Sequence, residues 1–339
     1  LHLSIRRQRQ MCIRDSLRDV RCNYMATTYK SDLAKVYLDL SEPIEKLNKL
    51  PLKDFATEQF KASVISAFTK CYQFNLDINK KDGDEYSLYL TSFLRGICED
   101  LISLKFLLKL QPDKREDIVR EYMLYLMTSS IYSQNQFFKN ERPFQPTVDV
   151  PDVEKVVNSQ VTKLNSLWQS LGHRKDKTFP SVKQMAIESK LKFLYDFVYH
   201  ATSRTVHFSP NVLLRTGWYK TATDNPIIKF SVNNFSDYYT LFNSHYATTL
   251  FIEFIKSFKK YLGLDRTFST ASKKLLEIQN QLYFFPEIIT YEELNLKRPS
   301  SMDYKILEMA SKMDTEERTE FIKALPDLLK EVKKRADEK

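Results

Sequence analysis

The chain has 339 residues, of which 42% are hydrophobic and 28% charged, with a formal net charge of +9. That length supports a large core and one or two domains, and the composition is the ordinary one of a globular protein. Five glycines (Gly83, Gly96, Gly172, Gly217 and Gly263) are too few for the tight strand–helix turns of an α/β fold, so the balance favours helices.

Residues 1–24 carry no helical pattern. Leu1 to Ile5 is too short for the apolar core of a signal peptide, and Asp15 and Asp19 argue against an amphipathic targeting helix. A basic arm for nucleic acid is one reading of "RRQRQMCIRDS". The other is that "MCIRDS", at 11–16, resembles the translation of a sequencing adapter, which makes 1–24 a non-native extension and places the start at Met25. Six arginines and two aspartates fall in this stretch, so +4 of the charge sits there and a mild +5 on the rest. Cys12 and Cys22 go with it. Cys71 and Cys98 remain, each inside an apolar helical pattern, and are expected to be reduced core residues in a cytoplasmic protein.

Helical spacing then runs along the chain. Ser31 to Leu40 is a helix, and Pro43 marks a break before "IEKLNKL". Phe60, Val64, Ile65, Phe68 and Tyr72 stripe the next helix. "KKDGD" is a turn. "EYSLYLTSFLRGICEDLISLKFLLKL" is apolar almost all round and is expected at the centre, ended by Pro112. Lys105 and Lys109, and its short apolar core, exclude a membrane span. A helix from Lys114 to Phe138 follows, then a three-proline extended loop, "ERPFQPTVDVP". "DVEKVVNSQVTKLNSLWQSL" is helical, and Pro180 opens a short helix. "KFLYDFVYHATSRTV" is helical up to Pro210, and "IIKFSV" alternates like one short strand. A long helix closes at Gly263. Charged helical pieces around a "FFPEIITYEEL" loop complete the chain. The expected fold is all-α, a multi-helix bundle over 25–263 with a helical appendage over 264–339 and at most one short β hairpin or strand.

No dinucleotide fingerprint, P-loop or nucleophile elbow is present, and no Cys or His pair has zinc spacing. No cofactor and no metal are expected. His173, His200, His207 and His245 are scattered, which is the usual pattern of structural histidines. Tyr and Phe are abundant at the spacing of core, not of a base-stacking platform. The basic tail from Lys333 to Lys339 reads as a solvated helix end.

Two helices carry the interesting polar residues. Arg95 and Glu99 are four apart on one face of the central helix, extended by Ser92 and Ser103. Buried charge needs a partner, and Gly96 beside the pair offers room for another helix. On the later helix, Tyr195, Tyr199, Ser203 and His207 form a stripe, with Asp196, His200 and Arg204 on the neighbouring, solvent-facing or groove-lining stripe. Phe193, Leu194, Phe197 and Val198 supply its apolar side. His207 falls at the helix end, where the helix dipole favours a cation. If the two stripes meet, they form either a structural hydrogen-bond network or a cleft in which His207 is the acid–base group and Arg95 or Arg204 holds an anion.

The blocks "FLRGICEDLISLKFLL" and "YDFVYHATSRTVHFSP", with the approach "FPSVKQMAIESKLKFLYDFVYH", resemble the domain of unknown function 5677 family, which is helical and mostly bacterial. The resemblance spans roughly Phe60 to Gly263. Its shared polar positions are Arg95, Glu99, Tyr199, Ser203, His207 and Ser209. The family has no established activity to carry over, and a stress or phage-defence setting is suggested by the resemblance alone. A looser similarity links the chain to the HEPN superfamily, whose nuclease members cut RNA without metal using an Arg, a short spacer and a His at a helix end. His207 fits that histidine. The spacer places the Arg at 200–202, where this chain has His200, Ala201 and Thr202, while Arg204 is too close.

Three functions are therefore expected to compete. The first is a binding protein built around a buried Arg/Glu/Tyr/Ser/His cluster. The second is a metal-independent endoribonuclease, with His207 assisting the ribose 2′-hydroxyl and Arg204 or Arg95 steadying the phosphate. The third is an interaction module whose C-terminal helices dock a partner. RNA and protein are both compatible partners, and a membrane is not.

Overall fold

A computed structural model of the chain describes residues 28–49, 51, 54, 57–80, 86–148, 150–173, 178–218, 229–280, 317 and 320. These residues are almost wholly helical. Helix α1 covers 28–39. It is followed by α2 (Ser41–Leu47), α3 (Gln59–Lys80), α4 (Ser87–Leu107), α5 (Pro112–Glu141), α6 (Val153–Ser170) and α7 (Val182–Glu188). Helix α8 is continuous through Lys192–Leu194, Tyr195–Tyr199 and His200–Val206, the middle segment being a π-helical turn. Then come α9 (Pro210–Arg215), α10 (Ser236–Leu262) and α11 (Arg266–Gln279). One two-residue antiparallel pair, Gly217–Trp218 against Lys229–Phe230, is the whole of the β structure among these residues. The alternating "IIKFSV" therefore contributes one short strand.

The punctuation is mostly that of the sequence. The break before "IEKLNKL" falls at Leu40, and Pro43 sits in the first turn of α2. Pro112 stands in the first turn of α5, where its missing N–H costs nothing. Gly263 closes α10 with φ at 64°, the left-handed cap that glycine adopts without strain. Pro180 does not open α7: Ser181 is the N-cap, and its hydroxyl accepts the Gln184 N–H. The "KKDGD" turn, the stretch 1–24, the "FFPEIITYEEL" loop and the basic tail lie outside the described residues.

Helix α10 is the spine, packed on α3, α4 and α11. Phe68 of α3 meets Phe251 and Phe254 of α10 and Phe268 of α11. Its neighbour α4 buries Leu94, Ile97, Cys98, Leu101 and Ile102, as its apolar pattern requires. Cys71 and Cys98 are free and buried, and burial pushes both thiols up, so neither is a ready nucleophile.

Two buried polar pins fix the register of this core. Asn75 donates to the Cys71 carbonyl at 2.9 Å and the Ala247 carbonyl at 3.0 Å, and accepts from Tyr37 at 2.8 Å. Asn243 accepts from Thr91 at 2.9 Å and donates to the Ser87 carbonyl at 2.7 Å. Apolar surfaces slide over one another at little cost, whereas a satisfied amide holds one alignment.

Helices α5 and α6 form an antiparallel hairpin. Glu121 pairs with Lys163 at 2.6 Å, Thr128 bonds Gln160, and Asn135 donates to the Val148 carbonyl at 2.8 Å. Trp168 anchors its base against Phe106 and Phe179. The chain's contacts divide it into two compact units, Leu1–Phe285 and Pro286–Lys339, and every helix named above lies in the first. No described helix is long and apolar enough to cross a membrane.

Candidate functional site

Helix α4 lies against α8, and the two polar stripes meet there. Arg95 donates from Nε to Ser203 Oγ at 3.1 Å and from Nη2 to the Tyr199 hydroxyl at 3.0 Å. Its guanidinium also lies 5.0 Å from the Tyr199 ring centroid. Glu99 approaches Arg95 Nη2 at 3.6 Å from one turn further along α4. One turn the other way, Ser92 donates to Thr205 Oγ1 at 3.2 Å. Ser203 in turn donates to the Tyr199 carbonyl. Arg95, Glu99, Tyr199 and Ser203 are thus one network across two helices far apart in sequence.

The network is not buried. The Arg95 side chain is 24% exposed and that of Glu99 38%. A half-wet ion pair at 3.6 Å is weak, so the two hydrogen bonds from Arg95 do most of the holding.

The expected stripe ends at Ser203. His207 is the C-cap of α8; its backbone turns extended, at φ −97° and ψ 161°, and its side chain is exposed. Arg204 is exposed one turn back, on the outer stripe with Asp196 and His200, which are also exposed. Ser209 caps the start of α9 and donates to Asn211. His207 donates its backbone N–H to the Ser203 carbonyl at 3.1 Å. The four histidines of the middle of the chain do not assemble. His173 sits edge-on to Trp168, His200 edge-on to Tyr195, and His245 lies buried in α10. Among the described residues no group of three His, Cys, Asp or Glu could hold a metal.

Two local expectations are corrected. Phe193 is 55% exposed, while Leu194 and Val198 are buried. Phe193 lies on the segment before the π turn at Tyr195–Tyr199, one position off the buried Leu194–Val198 line, and Tyr195 stacks on Tyr199 at 5.1 Å. Tyr86, Tyr89 and Phe93 of α4 are likewise exposed, although their spacing reads as core.

Gly96 admits no close helix. A Cβ placed there meets only Lys70 Nζ, at 3.7 Å. That side of α4 opens instead on a groove of about 1000 Å³. Ser63, Ser66 and Lys70 of α3 and Glu99, Asp100 and Ser103 of α4 give it a polar side. Tyr122, Met123, Leu126 and Met127 of α5, with Phe179 and Val182, give it an apolar one. Lys70 and Asp100 are paired at 2.6 Å. Glu99 belongs to both features: it lines the groove and touches Arg95.

Four-residue spacing marks Arg95, Glu99, Tyr199 and Ser203 as polar stripes, whereas the groove is not visible in the sequence. Its walls come from four separate segments, and the Lys70–Asp100 pair spans 30 residues, so no local spacing announces them.

Comparison with known proteins adds one relation. No curated protein and no solved structure matches the chain. A model of a family of unknown function matches residues 64–221, a region that contains the whole α4–α8 clasp and most of the groove's walls. Over residues 64–221, the chain is similar to the family of unknown function DUF5677.

Proposed function

We propose that this is a ligand-binding protein whose site is the groove between α3, α4, α5 and α7. The observation that carries this reading is the contrast between its walls. Met123, Leu126, Met127 and Phe179 face Glu99, Ser63, Ser66 and Ser103 across about 1000 Å³. Concave sites for small molecules have this form, mostly apolar with a few polar groups that set orientation. Methionines suit such a wall because their side chains repack around different shapes. The ligand that fits is amphipathic, with an apolar body and a hydroxyl or cationic group for Glu99. The clasp at Arg95 then places a cation beside the Glu99 carboxylate at the groove's edge. A stress or phage-defence setting rests on the family resemblance alone.

Native mass spectrometry of the full chain, purified without denaturation, tests the reading. A bound small molecule is expected on the wild type and is expected to be lost in Gly96→Phe, whose ring occupies the groove. The same bound mass on both proteins contradicts it.

One observation favours a second reading as a metal-independent ribonuclease. Arg204 and His207 are both exposed, three residues apart, at the end of α8. An imidazole there can take a proton from a ribose 2′-hydroxyl while the guanidinium holds the phosphate. On this reading, purified protein cuts RNA in the presence of a chelator. His207→Ala abolishes cutting and leaves the melting temperature unchanged. Absence of cleavage by the wild type removes this reading without touching the groove.

A further inference from the structure

The hairpin of α5 and α6 has no core of its own. From Tyr122 to Lys163 not one described residue is buried. Helices in proteins draw most of their stability from a packed apolar face, so two bare helices over this length are marginal. Helix α5 does have a second apolar stripe, facing away from α6. Met123, Leu126, Met127 and Phe137 are 39%, 45%, 55% and 59% exposed. Ser130, Ser133 and Gln134 continue the same exposed line. The spacing 123, 126/127, 130, 133/134, 137 is a helix-packing seam.

The seam is also uncharged. "YMLYLMTSSIYSQNQFF", Tyr122 to Phe138, contains no Asp, Glu, Lys, Arg or His. Solvated helix faces ordinarily carry charge, and exposed apolar patches beyond a few hundred Å² mark interaction sites. A charged partner finds nothing here to pair with. An identical face meets it without repulsion.

We propose that a second copy of this chain covers this seam, with the two α5 helices antiparallel about a two-fold axis at Ser130. In such an isologous contact residue i meets j and j meets i. Met123 then meets the partner's Phe137, Leu126 meets the partner's Gln134, and Met127 meets the partner's Ser133. Met127 faces a small side chain, Met123 and Phe137 pair large against large at the two ends, and Ser130 at the centre lets the helices approach closely. The two hairpins together make a four-helix bundle, which supplies the core that each lacks. The seam is about 21 Å long. Phe144 and Val148 at the hairpin tip are exposed as well, and a stable interface buries ~800 Å² per partner. Met123, Leu126 and Met127 also form one wall of the groove, so the partner's α5 borders that site, and the test below reads the dimer without reference to any ligand.

The test is the solution mass of the full chain by light scattering and sedimentation, at micromolar concentration and above. The wild type is expected to be a dimer. Met123→Glu and Phe137→Lys are each expected to weaken the dimer roughly tenfold or more, since each buries a charge without a partner. The double variant places Glu against Lys at both symmetric contacts and is expected to restore it. In a Cys12→Ser, Cys22→Ser background, Ser130→Cys sits on the axis and is expected to form an intermolecular disulfide on mild oxidation. A wild type that stays monomeric overturns the proposal. So does a dimer indifferent to both single substitutions, a double variant no better than the singles, or a Ser130→Cys protein that does not crosslink.

Discussion

Arg95 stabilises the α4–α8 contact through two hydrogen bonds and a ring contact, all to α8. Arg95→Ala is expected to cost about 1–3 kcal/mol in denaturant melts, because three interactions go at once. Glu99→Ala is expected to cost less than about 1 kcal/mol, since the 3.6 Å pair is half exposed and screened by water. Larger loss from Glu99 than from Arg95 contradicts the geometry. His245 supplies a pH dependence. Burial lowers its pKa from 6.5 to about 4. As pH falls below about 6.5 the unfolded chain takes up the proton and the folded one does not. Stability is therefore full above that pH, falls by about 3 kcal/mol on the way to pH 4, and loses no more from this group below it. His245→Asn is expected to flatten that part of the curve, which equilibrium unfolding across the range measures. Arg95, Glu99, Tyr199 and Ser203 were legible as residues because four-residue spacing puts each pair on one helix face. The exit of His207 was not legible. It depends on where α8 stops, and Pro210, three residues later, sets only an outer limit.

At the scale of helices, most elements follow from apolar periodicity and from Pro112 and Gly263. The exceptions have physical causes. The π turn in α8 contains no distinctive residue, so nothing in the sequence announces it. The pins at Asn75 and Asn243 are single amides in apolar stripes, and their partners are 172 and 156 residues away. Asn75→Ala is expected to destabilise the protein by about 2–4 kcal/mol, because the Tyr37 hydroxyl and the Ala247 carbonyl lose a partner inside the core. A change below about 0.5 kcal/mol shows that the pin carries no weight. Helix α4 predicts the opposite sign at its glycine. The Cβ of Gly96→Ala has only ordinary contact to meet, at 3.7 Å. The substitution is expected to raise stability by about 0.5–1 kcal/mol through the entropy of the unfolded chain. A lowered melting temperature would show that something closes over that side of α4.

For the molecule as a whole, the sequence carried the all-α class, because few glycines and long apolar stripes leave little else. It did not carry the groove, which exists only once α3, α4, α5 and the 179–185 segment are placed together. The clasp and the groove share Glu99, and the functional reading rests on that shared residue sitting at the edge of an amphipathic cleft. A titration with Nile red, a neutral apolar dye, tests this most directly. The wild type is expected to bind it with a blue shift in emission. Gly96→Leu, with unchanged helicity and melting temperature, is expected to bind at least about tenfold more weakly, since the new side chain takes up space that the dye needs. Equal binding by the two proteins, or none by the wild type, contradicts the account.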